Sequence, residues 1–184
     1  MKPTVVDHRG IAVNSIQDSL AFWEGTLGIR CTGVEEVAEQ KVRTAFLPLK
    51  DTEVELLEPT AEDSPVAKFI AKKGEGIHHL AIRVEDLEAA LAELREKGVR
   101  LIDEKPRRGA GGALIAFVHP AATGGILLEL SQEIGPDSDT NTRAPSRQAR
   151  SASSLPLIPA PTTVMRFPFT FKPSKFTPSI PLSP

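Results

Sequence analysis

The chain has 184 residues and a formal charge of −2 at pH 7, which is unevenly distributed. Six basic and two acidic residues lie in 135–184, so residues 1–134 carry a charge of −6, which argues against nucleic-acid binding by this part of the chain. The single cysteine, Cys31, excludes an internal disulfide, and we find neither a signal peptide nor an apolar run of the roughly 20 residues that span a bilayer. We therefore expect a cytoplasmic protein with no membrane or nucleic-acid partner.

The first predicted module covers about residues 5–60. Its helix begins after Ser15, which is a favourable N-cap residue, and ends at Gly28. The spacing of the apolar residues places Ile16, Leu20, Trp23 and Leu27 on one helix face. Apolar runs predict strands at about 5–13, 33–38, 42–49 and 52–58. The module therefore has the predicted order βαβββ.

A second module with the same order is predicted over about residues 76–132. Asp86 is the candidate N-cap of its helix, and Gly98 marks the helix end. The strands that follow are predicted at about 99–104, 113–119 and 125–131. Between the modules, Ser64 followed by Pro65 predicts a linker helix at 64–73.

Equivalent residues in the two modules are about 71 positions apart, as Ile16 and Leu87 illustrate. Two copies are too few for a solenoid, which needs about three or more stacked repeats. We therefore predict an α+β fold in domain 1–134, with two paired βαβββ modules that form a curved, cup-shaped mixed sheet with the helices outside.

Residues 135–184 form a tail of different composition. They contain ten of the 16 prolines together with many serines and threonines, and they show no apolar periodicity. This composition predicts a disordered segment. The alternative is that the phenylalanine-rich part of the tail docks on the main domain or on a neighbouring molecule.

Each module contributes one histidine and one glutamate at matching positions. His8 and His79 open equivalent apolar strands, whereas Glu55 and Glu129 lie among apolar residues in the last strand of each module. A carboxylate in such a strand needs a partner that offsets its desolvation. Two imidazoles and two carboxylates suit an octahedral divalent ion and leave two positions open for substrate oxygens. The pattern predicts a metal site inside the cup.

Each of these residues has an ordinary explanation when it is considered alone. A histidine at a strand start is often a surface residue, and His78 is as plausible a candidate as its neighbour. Glu53 and Glu58 are alternatives to Glu55. The matching positions in a duplicated module favour the metal site.

Several segments of the chain resemble the methylmalonyl-CoA epimerases, a family of the vicinal-oxygen-chelate superfamily that also contains glyoxalase. The resemblance covers residues 5 to about 132 and does not extend into the tail. The segments are DHRGIAV, TEVELLEP, DSPVAKFI, EGIHHLAIRVEDLEAAL, GVRLIDEKPRRGAGG and AFVHPAATGGILLEL.

The resemblance implies a divalent ion bound by His8, His79 and Glu129, with Glu55 at the fourth ligand position, where some members have glutamine. Co²⁺ is the expected ion, and Mn²⁺, Ni²⁺ and Zn²⁺ are alternatives. The implied reaction interconverts the (2R) and (2S) forms of methylmalonyl-CoA in propionyl-CoA metabolism. It proceeds by abstraction of the C2 proton through a metal-stabilised enolate. A homodimer is implied as well.

Inversion at C2 requires two opposed proton carriers. Glu129 matches a residue that the family uses as ligand and as proton carrier. The second carboxylate of the family falls at Thr44, and a threonine is not a general base at neutral pH. Glu55 is therefore the candidate for the second carrier, with a metal-bound water as the alternative.

The anionic parts of a CoA thioester need cationic or amide donors. Arg107, followed by Gly111 and Gly112 in a glycine-rich loop, is the candidate, because glycine lets backbone amides approach an anion closely. The other interpretation is a basic surface loop without a ligand.

Two other functions fit parts of the pattern. A glyoxalase-type lyase that acts on a glutathione hemithioacetal would use the same ligands. A small-molecule-binding resistance protein of the same fold has no need of four matched ligands, so the sequence argues against it.

Overall fold

The computed structural model describes residues 1–134, and the tail predicted to be disordered lies outside these residues. The first module and the linker contain β1 (Pro3–Ala12), α1 (Ile16–Trp23), β2 (Gly33–Val37), β3 (Val42–Leu49), β4 (Thr52–Pro59) and α2 (Pro65–Lys73). The second module contains β5 (Gly76–Val84), α3 (Leu87–Glu96), β6 (Arg107–Arg108), β7 (Leu114–Val118) and β8 (Leu128–Gln132). Short 3-10 turns lie at Ala38–Gln40, Ala110–Gly112 and Pro120–Ala122.

The eight strands of the described residues form one mixed sheet in the order β2-β3-β4-β1-β5-β8-β7-β6. Within each module the first strand pairs in parallel with the last, so β1 pairs with β4 and β5 with β8. The modules meet at the centre of the sheet, where β1 and β5 are antiparallel. The predicted α+β fold of two paired βαβββ modules is thereby confirmed.

The three helices begin at side chains that satisfy free backbone amides of the first turn. The serines before α1 and α2 accept through Oγ, and the aspartate before α3 accepts through Oδ1. The pairs are Ser15 with the Asp18 amide (3.2 Å), Ser64 with the Ala67 amide (2.9 Å) and Asp86 with the Ala89 amide (2.9 Å).

The first helix is shorter than the sequence predicts. It ends at Trp23, and turns lead from there to Gly28, whose φ of 72° is the left-handed conformation expected after a helix end. Leu27, predicted to share the apolar helix face, lies beyond the helix and is 51% exposed. The buried face of α1 is therefore formed by Ile16, Leu20 and Trp23.

The strand predicted at 99–104 is wrong. Leu101 makes only an isolated bridge to Val118, and the second strand of this module is the two-residue β6. The amides of Ile102 and Asp103 both donate to the same Phe117 carbonyl, while the Asp103 carboxylate accepts from the Phe117 amide. The Asp103 side chain thus takes the place of a backbone acceptor between the two segments, and Pro106 further along has no amide hydrogen to donate.

Strand alternation separates the helix side of the sheet from the inner side of the cup. In β4, Val54 and Leu56 pack against α1, whereas Glu55 and Leu57 face the interior of the cup. In β8, Leu130 packs in the cluster around α3, and Glu129 faces the interior. The period of two in these strands therefore places both glutamates on the same inner surface.

Candidate functional site

Four buried side chains converge on the inner surface at the centre of the sheet. The Nε2 atoms of His8 and His79 are 3.0 Å apart. His8 Nε2 lies 3.6 Å from a carboxylate oxygen of Glu55 and 3.5 Å from one of Glu129, and His79 Nε2 lies 3.6 Å from the other oxygen of Glu129. All four residues are at most 5% exposed. The residues that the sequence predicts as a metal site are thus brought together.

The pairing of β1 with both modules explains this convergence. Gly10 of β1 is in register with Glu55 on one side and with His79 on the other. His8 and His79 lie inside their strands rather than at the strand starts, contrary to the expectation from the sequence. Side chains from both modules are thereby brought together beside β1.

The lack of a side chain at Gly10 leaves room for the His79 ring. A Cβ at this position would overlap three atoms of the imidazole ring of His79. The ring also meets Phe117 edge to face, with centroids 5.6 Å apart. The ring therefore packs against both the bare backbone of β1 and an aromatic side chain.

The donor set fits a divalent metal ion. His8, His79 and Glu129 offer ligand atoms that lie within 4.8 Å of one another. Ligand atoms in neighbouring positions on an ion with bonds of about 2.1 Å are roughly 3 Å apart, close to the separations observed. Burial lowers the pKa of His79 well below its ordinary value, and His8 and His78 lower it further. A neutral imidazole of this kind is the form that binds a metal.

A cavity of about 590 Å³ opens onto this cluster. Its lining includes aliphatic side chains of the first module and of α2, together with Thr44, which is only 1% exposed. The second module also contributes to the lining, with Arg107 among its residues. The apolar lining side chains are Val37, Val42, Leu57 and Val66 from the first module and α2, and Ile102, Ile115, Phe117 and Leu127 from the second module.

The predicted substrate-binding residues are placed differently from one another. Arg107 lines the cavity, donates through Nε to Asp103 at 3.2 Å and has its guanidinium 5.3 Å from the centre of the Phe117 ring. The Gly111 amide donates to the Glu35 carboxylate at 3.0 Å, which fastens this loop to β2. Gly112 follows with a φ of 77°.

The alternative glutamates, unlike Glu55, do not line the cavity. Glu58 accepts from the Ile16 amide and pairs with Arg43, so it connects β4 to α1 and β3. Glu53 is 6% exposed and is in register with His8.

Two residues at the site were not identified from the sequence, and His78 was considered only as an alternative to His79. Asp7 is a buried carboxylate beside His8, Gly10 accommodates His79, and His78 contacts His79 through its ring. The available signal was positional, since Asp7 and His78 each come directly before a predicted ligand.

Comparison with known proteins identifies the family to which the chain belongs. The family model for the Glyoxalase/Bleomycin resistance protein/Dioxygenase superfamily matches residues 7–117. The uncharacterized protein YqjC of Bacillus subtilis is 45% identical over 130 residues, which cover 71% of this chain and 93% of the relative. The mitochondrial methylmalonyl-CoA epimerase of Homo sapiens is 37% identical over 128 residues, which cover 69% of this chain and 73% of the relative.

Solved structures are similar over the same part of the chain. A variant of the Streptomyces coelicolor methylmalonyl-CoA epimerase, in complex with 2-nitronate-propionyl-CoA, has 40% sequence identity and a TM-score of 0.69. The alignment covers 73% of this chain and 97% of that one. Within residues 1–134, no helix has the length and apolar character needed to cross a membrane.

Proposed function

Since the chain belongs to the methylmalonyl-CoA epimerase family of the Glyoxalase/Bleomycin resistance protein/Dioxygenase superfamily and is an isomerase, we propose that it epimerises methylmalonyl-CoA at C2 with a divalent metal ion. The observation that carries the proposal is the convergence of two imidazole nitrogens and two carboxylates, all buried, at one end of a cavity of about 590 Å³. A lone structural histidine would not need a second imidazole and two buried carboxylates beside it.

His8, His79 and Glu129 would hold the ion, with Glu55 as the fourth ligand. Co²⁺ is the proposed ion, and a donor set of nitrogen and oxygen atoms is also compatible with Mn²⁺, Ni²⁺ or Zn²⁺. When bound, the ion supplies a Lewis acid that draws charge from the thioester and carboxylate oxygens of the substrate and so makes the C2 proton more acidic. The surrounding apolar side chains exclude water and strengthen electrostatic interactions in the site.

The two glutamates are the proposed proton carriers. Epimerisation needs a base on one face of C2 and an acid on the other. Glu55 and Glu129 come from different modules, and an oxygen of each lies within 3.6 Å of His8 Nε2. Thr44 lines the same cavity, but its hydroxyl is not a base near neutral pH. One glutamate removes the proton and the other returns a proton on the opposite face.

Arg107 is the proposed contact for an anionic group of the CoA thioester. Its Nε donates a hydrogen bond to Asp103, which orients the guanidinium at the cavity wall. The Gly111 amide is bonded to Glu35, so a role for Gly111 and Gly112 in substrate binding requires that the loop rearrange. The aliphatic lining side chains of the first module and α2 offer a dry surface for the 2-methyl group.

The proposal includes a homodimer, a cytoplasmic location and a place in propionyl-CoA metabolism, all of which stay predictions. The human relative is named as mitochondrial, so family membership is compatible with more than one compartment.

Exchange of the C2 proton for deuterium tests the proposed function. Metal-stripped protein is incubated with methylmalonyl-CoA in heavy water, with and without Co²⁺, and exchange is followed by NMR. We expect exchange only with the metal, and its loss in His79→Ala. His119→Ala is the matched control, because His119 lies in a half-buried turn and does not line the cavity.

A glyoxalase-type lyase is the competing activity. The same preparations are therefore offered the hemithioacetal of methylglyoxal and glutathione. Conversion of that compound, without C2 exchange in methylmalonyl-CoA under any of the four metals, would overturn the epimerase proposal.

A further inference from the structure

The histidines of the cluster have the same orientation relative to the chain. Each turns Nε2 toward the centre of the cluster and Nδ1 toward the residue that precedes it. His8 Nδ1 lies 3.5 Å from Oδ2 of Asp7, and His79 Nδ1 lies 3.1 Å from Nδ1 of His78. The two preceding residues are 71 positions apart, as are the histidines themselves.

Asp7 is fixed more firmly than a surface carboxylate would be. It is 2% exposed, and Oδ2 accepts from the Ser131 hydroxyl at 2.6 Å. Oδ1 accepts from Arg83, whose Nε is 3.1 Å away and whose terminal nitrogen also pairs with it. Arg83 lies on β5 and Ser131 on β8, so three strands determine where this carboxylate points.

His78 is held by different means. Its ring packs edge to face on Phe69 of α2, with centroids 5.0 Å apart, and it lines the cavity. Its Nδ1 faces Nδ1 of His79, so one of these nitrogens donates and the other accepts. When His79 Nδ1 carries the proton, His79 Nε2 is left with a free lone pair toward the cluster.

We infer that Asp7 and His78 are positioning residues, which hold the Nδ1 protons of His8 and His79 and thereby direct both Nε2 lone pairs at the metal. The inference rests on the proposed metal-dependent function. A partner on the outer nitrogen fixes the ring orientation and the tautomer of a ligating histidine, and loss of that partner typically weakens metal binding by about 10- to 100-fold. Both modules supply this partner from the residue before the histidine, but the partner is a carboxylate in the first module and an imidazole in the second.

Asp7→Asn tests the first half of the inference. Arg83 only donates, so the amide oxygen of the new side chain stays on its guanidinium, and the amide nitrogen then faces His8 Nδ1. That arrangement favours the tautomer with the proton on Nε2. We expect Co²⁺ to bind about 10- to 100-fold more weakly in chelator competition. Ser131→Ala is the matched control, because it removes a bond to Asp7 but leaves the carboxylate beside His8.

His78→Phe tests the second half. The substitution keeps an aromatic ring against Phe69 and removes the nitrogen that faces His79. We expect weaker Co²⁺ binding of the same order, whereas the control Phe69→Leu, which removes the ring contact and keeps the nitrogen, should bind Co²⁺ almost as the unchanged protein does.

A purely structural role would be distinguished by spectroscopy of the loaded protein. With Zn²⁺ bound, the Nδ1 protons of both histidines should give slowly exchanging resonances, and each variant should lose protection of one resonance only. Equal Co²⁺ affinities, visible absorption spectra and proton resonances in the variants and the unchanged protein would overturn the inference. If the unchanged protein itself binds no metal, the proposed function fails instead.

Discussion

Gly10 determines whether the His79 ring can occupy its position. We expect Gly10→Ala to displace this ring, because the new methyl group would overlap it, and so to weaken Co²⁺ binding by at least about tenfold. Overpacking of this kind also costs roughly 1–3 kcal/mol of stability. Chelator competition and thermal unfolding measure the two effects.

Gly28→Ala is the control for Gly10→Ala. No atom lies within 4 Å of a Cβ at Gly28, but its φ of 72° strains any other residue. This variant should lose stability and keep its affinity for Co²⁺. If both variants bound the metal normally, the close approach of β1 to His79 would have no role in the site.

Glu55 is proposed as both ligand and proton carrier, and one substitution separates these roles. In Glu55→Gln the amide oxygen can still bind an ion, but the side chain no longer takes up a proton. We expect Co²⁺ affinity to change by a few-fold at most, and the C2 exchange rate to fall by about 10²- to 10⁴-fold. Glu58→Gln, in the same strand but outside the cluster, is the control. Normal exchange in Glu55→Gln would remove Glu55 as a proton carrier.

The four side chains that come together could be predicted from the sequence alone, because the histidine and the glutamate of one module each have an equivalent in the other. His8 and His79 are equivalent positions, and the two glutamates lie in equivalent strands. Gly10 and Asp7 could not be found in this way. Their roles depend on what β5 and β8 place opposite them, and that information lies in the pairing of strands distant in sequence.

At the level of the elements, Asp86 should contribute to stability without affecting the site. Its carboxylate caps α3, whose apolar residues pack on the helix side of the sheet rather than in the cavity. We expect Asp86→Ala to lower the free energy of unfolding by about 1 kcal/mol, as loss of a cap usually does, with Co²⁺ affinity unchanged. Denaturant unfolding checks this value, and Asp86→Asn should restore most of it. A change in metal affinity would show that α3 is coupled to the cluster.

The helices were predictable because their determinants are local. A cap residue marked the start of both α1 and α3, apolar spacing marked their buried faces, and a glycine marked where each helix stops. Only α1 is shorter than its apolar pattern suggests. The segment at 99–104 has the composition of a strand, but it makes only an isolated bridge and a few irregular hydrogen bonds with its neighbour, one of which uses the Asp103 side chain. Pairing of this kind depends on the neighbour and not on the segment itself.

At the scale of the whole molecule, all four residues of the cluster and the lining residues named above belong to 1–134. A protein that ends after Ile134 keeps β8 and the Gln132 side chain, which accepts from the Leu87 amide at 2.8 Å. We expect this truncated protein to bind Co²⁺ and to exchange the C2 proton at a rate close to that of the full chain. Loss of either property would show that the tail contributes to the fold or to the site.

The parallel pairs β1–β4 and β5–β8, with β1 antiparallel to β5, give the described residues an approximate twofold axis between β1 and β5. One histidine and one glutamate on each side are related by this axis. The proposed reaction has a matching property, since its substrate and product differ only in handedness at one carbon. A site built from two near-equivalent halves offers each hand a similar environment. Duplication of a module therefore provides a route to a catalyst that treats both stereoisomers almost alike.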